Sequence, residues 1–299
     1  SGGVTTSYAY NGANQLCATS TSGTASCSSP NHTYDANGNQ TSAPGLFMAY
    51  NALNQLCATS TSGTPSCSTP AYTYADVDQT ERVSAAGTNF ASDILGLSAT
   101  SASTYYTRDD AGSLVGQRVS GANQYFLLDG LGSVVKLIDS TGAVVRSYGY
   151  DAWGKTTVGA GTADTARRFA GGYSDTTGLD KFGTRYYDSR PGRWTQQDPL
   201  PVSITDARQL NRYLYAGNDP INYVDPDGRR ISLFRAVHAF ASGLVLGAGM
   251  AGTAIGFATC GPTFGAGCAV AGVGALGVSL GVESLGTDVR ILQRQAARS

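Results

Sequence analysis

The chain has 299 residues, a net charge of −1, only 14% charged residues, 39 glycines and 17 tyrosines. It is long enough to bury a sizeable core, and it lacks the basic field that nucleic-acid binding by the whole chain would need. Ser, Thr and Asn crowd its first half, a composition of strands and turns rather than helices. It opens on Ser with no charged-then-apolar leader. That start reads as a piece or processed form of a longer protein, so the missing leader says nothing about secretion.

The first element along the chain is a repeat. Tyr10 to Pro30 and Tyr50 to Pro70 are nearly the same sequence at an offset of 40 residues, and each is followed by a Tyr-containing run. Self-similarity at this period predicts stacked units that bury their apolar faces on one another. Each copy holds a cysteine pair, Cys17 with Cys27 and Cys57 with Cys67, and a third pair, Cys260 with Cys268, lies near the end. Local disulfides in an oxidising compartment are the simplest reading, and reduced, half-buried thiols are the alternative. With two histidines, His32 and His238, and no CxxC spacing, no metal site is expected, and nothing calls for a cofactor.

Asp-x-x-Gly then recurs seven times, beginning at Asp35, Asp109, Asp129, Asp139, Asp151, Asp175 and Asp225. Asp accepts backbone hydrogen bonds within such a turn, and Gly takes the positive φ at its fourth position. Runs of strand length such as Ser133 to Ile138 and Ala143 to Tyr150 lie between them, rich in β-branched and aromatic residues. Helical periodicity is missing before residue 230, so the fold class is mainly β, an antiparallel meander with open, exposed edges. Trp153, Trp194, Phe169, Phe182, Tyr105/Tyr106 and Tyr186/Tyr187 are read as inward-facing strand aromatics rather than a sugar-stacking platform.

The tyrosine-led repeats ending in YDANGN, the run from Leu127 to Lys155, RFAGGYSDTTGLDKFGTRYYDSRPGRWTQQDPL from Arg168 to Leu200 and NRYLYAGNDPINYVDPDG from Asn211 to Gly228 together resemble the Rhs repeat-associated core of YD-repeat proteins. The resemblance is close over 105–229 and looser over 1–80. It implies a β-sheet spiralling into a cocoon-like shell, as in polymorphic toxins, the C subunits of insecticidal toxin complexes and, more distantly, teneurins. The implied organisation is YD-type repeats over 1–104, the core over 105–229 and a glycine-rich apolar helical segment with a basic tail over 230–299.

For toxin-type members the resemblance implies an intramolecular aspartyl protease built from the Asp of the DP after GR[FW] and the Asp of DPxGL, supported by the Arg of RYYD. Here those positions are Asp198, Asp225 and Arg185, with Asp188 three residues after Arg185 and ten before Asp198. Two neighbouring aspartates can share one proton, one serving as acid while the other activates water. The cut would fall between Arg229 and Arg230, where Arg229 stands in place of the family leucine. An apolar pocket there would penalise a guanidinium, and Arg229→Leu would then speed cutting. By its residues alone Asp225-Pro226-Asp227-Gly228 is also a sound β-turn, and both readings stay open.

Beyond Arg230 the composition changes, and residues 236–282 carry no Asp, Glu, Lys or Arg. Two apolar helices over about 233–258 and 265–285 are expected, turned back at Gly261-Pro262, with small residues such as Gly243/Gly247 and Gly277/Gly281 spaced for close helix approach. This hairpin is either a membrane-contacting segment over 233–285 or a plug held inside the shell. His238 is read as an incidental packed residue, and Arg290, Arg294 and Arg298 as a solvated or headgroup-facing stripe. Three functions follow: a shell module, a self-processing shell that releases its C-terminal segment, and a structural surface protein with a membrane-inserting hairpin. The partners implied are the chain's own C-terminal segment or an effector beyond it, and further upstream repeats. Nucleic acid is not among them, and the location implied is secreted or cell-surface, with membrane association if the hairpin meets lipid.

Overall fold

The computed structural model describes residues 4–109, 112–201 and 209–232. The expected helices over 233–285, the Cys260/Cys268 pair, His238 and the basic tail lie outside the described residues. Among the described residues the regular structure is antiparallel strand, with only two short 3-10 turns. None of them forms a helix long and apolar enough to cross a membrane.

The first hairpin of the 40-residue repeat is reproduced residue for residue in the backbone. Strands β1 (Ser7–Tyr10) and β2 (Leu16–Ser20) pair as Ser7 with Ser20 and Ala9 with Ala18, with a bulge at Tyr10. Three further strands follow, β3 (Thr33–Tyr34), β4 (Gln40–Ala43) and β5 (Leu46–Tyr50), and β5 pairs with β6 (Leu56–Ser60). There Phe47 faces Ser60 and Ala49 faces Ala58, and the bulge recurs at Tyr50. The connecting turns match as well: Asn11 Oδ1 accepts from the amides of Ala13 and Gln15, and Asn51 Oδ1 from those of Leu53 and Gln55. Equal sequence gives equal turn chemistry, and the turn sets the register.

Disulfides join Cys17 to Cys27 and Cys57 to Cys67, each pinning a strand to the loop that leaves it. Loop closure of this length contributes about 2–3 kcal/mol per bridge through the unfolded state. Reductant is expected to lower the urea midpoint of the uncut chain accordingly, and Cys17→Ser/Cys27→Ser to remove half of that loss. Insensitivity of the midpoint to reductant would show that the bridges do not form in solution.

From β7 (Tyr72–Tyr74) to β16 (Thr156–Gly161) ten strands pair in sequence order as one open meander. A four-stranded sheet closes the core: β17 (Tyr173–Ser174), β18 (Asp180–Phe182), β19 (Arg185–Asp188) and β20 (Arg193–Trp194). The Asp-x-x-Gly turns form as expected. All seven glycines have φ between +65° and +86°. At Asp129, for example, Oδ1 accepts from the amides of Leu131 and Ser133. Asp175 is the variant case, its carboxylate drawn off to Arg82 at 2.8 and 2.9 Å, under a guanidinium that stacks on Phe90 and Tyr173. That buried pair ties the repeats to the core sheet.

Strand β19 explains how the core is held. All four residues of Arg185–Asp188 are buried, and side chains alternate between the two faces of a strand. Tyr187 enters an aromatic cluster with Phe169, Phe182, Trp194 and Tyr215. Tyr186 points the other way, into Leu46, Leu56 and Tyr72 of the repeats, with its hydroxyl 2.8 Å from that of Tyr74. These aromatics face inward as the sequence suggests, whereas Tyr105 stays 56% exposed. Beyond β20 the chain crosses both repeats. The Gln40 amide donates to the Thr195 carbonyl at 2.8 Å, Gln196 Nε2 donates to the Asn54 carbonyl at 2.6 Å, and Asp198 follows at the end of this laced segment.

Candidate functional site

Arg185 lies at the start of β19 with its side chain only 2% exposed. Its Nη2 stands 2.9 Å from Asp198 Oδ2 and 2.9 Å from Asp225 Oδ2, so one donor nitrogen holds the two carboxylates within a few ångströms of each other. The guanidinium stacks 4.2 Å over the Trp194 ring, and Nη1 donates to the Arg212 carbonyl at 3.3 Å. A planar, stacked cation of this kind fixes two carboxylates in a way that a flexible ammonium would not. The sequence separations of 13 and 27 residues between Arg185, Asp198 and Asp225 are closed by the fold.

The carboxylates sit in different settings. Asp198 keeps 25% of its side chain exposed and opens on a cleft of about 510 Å³ that Arg229 and Arg230 also line. Its Oδ1 accepts from the Leu200 amide at 2.9 Å, and its backbone amide donates to the Arg212 carbonyl at 3.0 Å. Asp225 is 3% exposed. Burial pushes its carboxyl up to about 7, and the pull of Arg185 in the opposite direction does not offset this. Asp188, by contrast, takes no part: it is a structural partner of Arg190, at 2.7 Å.

Asp225 also starts a turn, and that turn holds the bond in question. Its Oδ1 accepts from the Arg229 amide at 2.9 Å and from the Arg230 amide at 3.0 Å, and Asp227 Oδ1 shares both donors at 3.0 Å. The nitrogen of the Arg229–Arg230 bond is therefore in hydrogen-bond contact with the buried carboxyl. On the far side the segment is strapped to the β18–β19 turn, where the Thr184 amide donates to the Asp227 carbonyl at 2.9 Å and its hydroxyl to the Gly228 carbonyl at 2.9 Å. Gly183 is needed there, because a Cβ would strike the Asp227 carbonyl. Val224 and Ser232 then pair, their amides donating to each other's carbonyls at 3.3 and 2.7 Å.

One expectation about this segment is replaced. The Arg229 side chain does not enter an apolar pocket but forms an ion pair with Asp78 of the repeat region, with 34% of its own surface exposed. The carboxylate and the water-facing part of the guanidinium offset the desolvation penalty anticipated there, although Nε is buried without a hydrogen-bond partner. Sequence reasoning also passed over Trp194 as the stacking partner of Arg185, Arg212 as the carbonyl that receives it, and Asp227 as the second acceptor for the Arg229 and Arg230 amides. The acids at Asp76, Asp78 and Glu81 were the available signal for the Arg229 partner.

Residues 67–221 match the family described as Teneurin YD-shell, a little over half of the chain. Arg185 and Asp198 fall inside that match and Asp225 four residues beyond it. Among curated relatives, the tRNA3(Ser)-specific nuclease WapA of Bacillus spizizenii is 36% identical over 43% of this chain and 6% of its own length. Toxin subunit YenC2 of Yersinia entomophaga is 36% identical over 30% of this chain and 10% of its own length. The chain thus spans about a tenth or less of these relatives. In fold it resembles the Photorhabdus luminescens Tc holotoxin pore, with TM-score 0.53 and 18% identity over 76% of this chain and 13% of that one. It also resembles the TcdB2–TccC3–TEV complex, with TM-score 0.51 and 21% identity over 65% and 11%. With the repeats, the open antiparallel meander and the family match agreeing, the chain belongs to the Teneurin YD-shell family, as an Rhs/YD-repeat protein of the toxin type.

Proposed function

We propose that this chain is the end of a toxin-type shell that cuts itself between Arg229 and Arg230, freeing the segment that follows from the shell that carries it. The observation supporting this most is the Arg185 guanidinium, whose Nη2 is 2.9 Å from each of two carboxylates, one of which lies 3.0 Å from the Arg230 amide nitrogen. Asp198, on the open side of the cleft, takes a proton from water as its oxygen attacks the Arg229 carbonyl carbon. Asp225, kept protonated up to about pH 7 by burial, gives its proton to the Arg230 nitrogen as the carbon–nitrogen bond breaks. The products are a carboxyl on Arg229 and an amine on Arg230, so atoms and protons balance. Arg185 holds both groups in place through the step.

The partners in this reading are the segment from Arg230 onward, any effector beyond it and further upstream repeats, and the location is secreted or cell-surface, in keeping with relatives that are toxin subunits. The test is the fate of the chain on denaturing electrophoresis. The wild type is expected to resolve into two pieces, while Asp198→Asn and Asp225→Asn stay whole and retain the wild-type circular dichroism, because Asn keeps the shape and loses the exchangeable proton. An Asp225→Asn chain that still separates would leave Asp225 a turn residue only.

A further inference from the structure

The two repeats match in register until the loop after Tyr34 and Tyr74, and there they part. In the first copy the Asp35 amide closes a loop onto the Asn39 carbonyl; in the second the Ala75 amide closes onto the Glu81 carbonyl. Correspondingly Tyr34 pairs with Gln40 but Tyr74 with Arg82, so the second loop is two residues longer. The added length replaces a tight Asp-x-x-Gly turn by Asp76-Val77-Asp78-Gln79-Thr80, which carries two carboxylates and places a residue other than Gly at positive φ, Gln79 at +55°. A non-Gly residue in that region costs free energy and persists only where its surroundings hold it.

Gln79 is held firmly. The residue is 2% exposed; Nε2 donates to the Thr184 carbonyl at 2.6 Å and to Gln196 Oε1 at 2.7 Å, and Oε1 accepts from the Leu56 amide at 3.0 Å. Thr184 is the residue that straps the Asp227–Gly228 backbone, and Gln196 lies two residues before Asp198, so the loop is bolted to both walls of the site. Asp78 next to it is oriented too. Its Oδ1 accepts from the Thr80 hydroxyl at 2.8 Å, the Asp76 carboxyl lies against the same group, and Oδ2 faces the Arg229 guanidinium. A surface ion pair formed by chance has neither a preorganised carboxylate nor a loop lengthened to deliver it.

The geometry points to Asp78 as the specificity-determining carboxylate for the residue that precedes the bond to be cut, selecting a cationic side chain at position 229. This deepens the proposed self-cleavage and rests on it for its meaning. The longer repeat loop and Arg229 are two halves of one contact, an acidic subsite facing a basic residue where the resembled pattern has leucine. The selection acts by seating the Arg229 side chain and so fixing its carbonyl against Asp198 and Asp225.

The test is a matched exchange at positions 78 and 229, read as the rate of self-cleavage of purified chain. Asp78→Asn and Arg229→Leu are each expected to slow release about fivefold, the effect of one partly exposed ion pair, and Arg229→Lys to slow it less. Asp78→Arg and Arg229→Asp alone are each expected to slow release further, and the two together to recover most of that loss. Arg229→Leu cutting as fast as wild type or faster would overturn the assignment. A second readout stands apart from self-cleavage: in the uncut Asp198→Asn chain, trypsin nicking after Arg229, located by mass spectrometry, is expected to rise about fivefold on Asp78→Asn as the seated side chain is freed. Unchanged nicking there sinks the subsite even if the wild type cuts itself. Conversely, failure of the wild type to cut while nicking rises would sink the self-cleavage reading and leave the seating of Arg229 by Asp78 in place.

Discussion

Replacing Arg185 with Met is expected to be among the most damaging single changes within the described residues. It should cost about 3–5 kcal/mol of stability at pH 8, and release of the segment after Arg229 should stop. The side chain is 2% exposed and serves two carboxylates, so its loss leaves Asp225 without a countercharge in a setting that is itself 3% exposed. Met fills the volume and keeps contact with Trp194, which isolates the charge effect from a cavity. The cost should depend on pH, with a definite sign. In the wild type the Asp225 carboxyl titrates at about 7 when folded, against an ordinary 3.8. Its contribution is therefore complete below the unfolded value and is lost as pH rises through the folded one. Removing Arg185 raises the folded value further, so the variant loses more at pH 8 than at pH 5, where Asp225 is already neutral. Urea unfolding at the two pH values, in an uncut Asp198→Asn background, measures this. An equal loss at both would mean that Arg185 does not act through Asp225.

The second large effect is on the rate of release itself. Because Asp225 serves as the proton donor and burial holds it protonated up to about 7, the rate is expected to be high at pH 6 and to fall about tenfold per pH unit above 7.5. Quenched time courses of the purified chain at pH 6, 7, 8 and 9 give the profile. A rate that rises across that range would assign the reaction to base-promoted chemistry with no place for a neutral Asp225. The same logic separates the two carboxyls: both face Arg185 at 2.9 Å, yet only Asp225 is sealed from water, and this difference in burial divides acid from base.

Much of this architecture is legible in the amino-acid order, for reasons that are local. The Asn11 and Asn51 loops, the disulfides within each repeat and the seven Asp-x-x-Gly turns are decided by residues within ten positions of one another, and local rules reach that far. The antiparallel meander follows from those turns. The meeting of Arg185 with Asp198 and Asp225 was expected through resemblance, not through any rule of spacing. Nothing in the residues themselves says that the two carboxylates share one nitrogen, or that Trp194 lies beneath it. Least legible was the partner of Arg229. An ion pair with Asp78 spans 151 positions, and long-range pairing of two charged residues leaves no periodic trace. The sequence does hold one clue: the second repeat breaks the Asp-x-x-Gly pattern of the first, and a break in a repeat marks where the fold spends a loop on something other than stacking. Asp175 carries the same lesson in reverse, since it satisfies the turn pattern while its carboxylate pairs with Arg82.

The central claim is that this shell cleaves one bond within itself by adding water across it. The direct measurement is the intact mass of the chain after incubation in heavy-oxygen water, followed by terminal sequencing of the pieces. The account predicts two fragments, one ending at Arg229 whose new carboxyl carries a heavy oxygen atom, the other beginning at Arg230 and free of label, with neither formed by Asp198→Asn. A single unbroken mass from wild-type chain at pH 6, or a cut at any other bond, would contradict it.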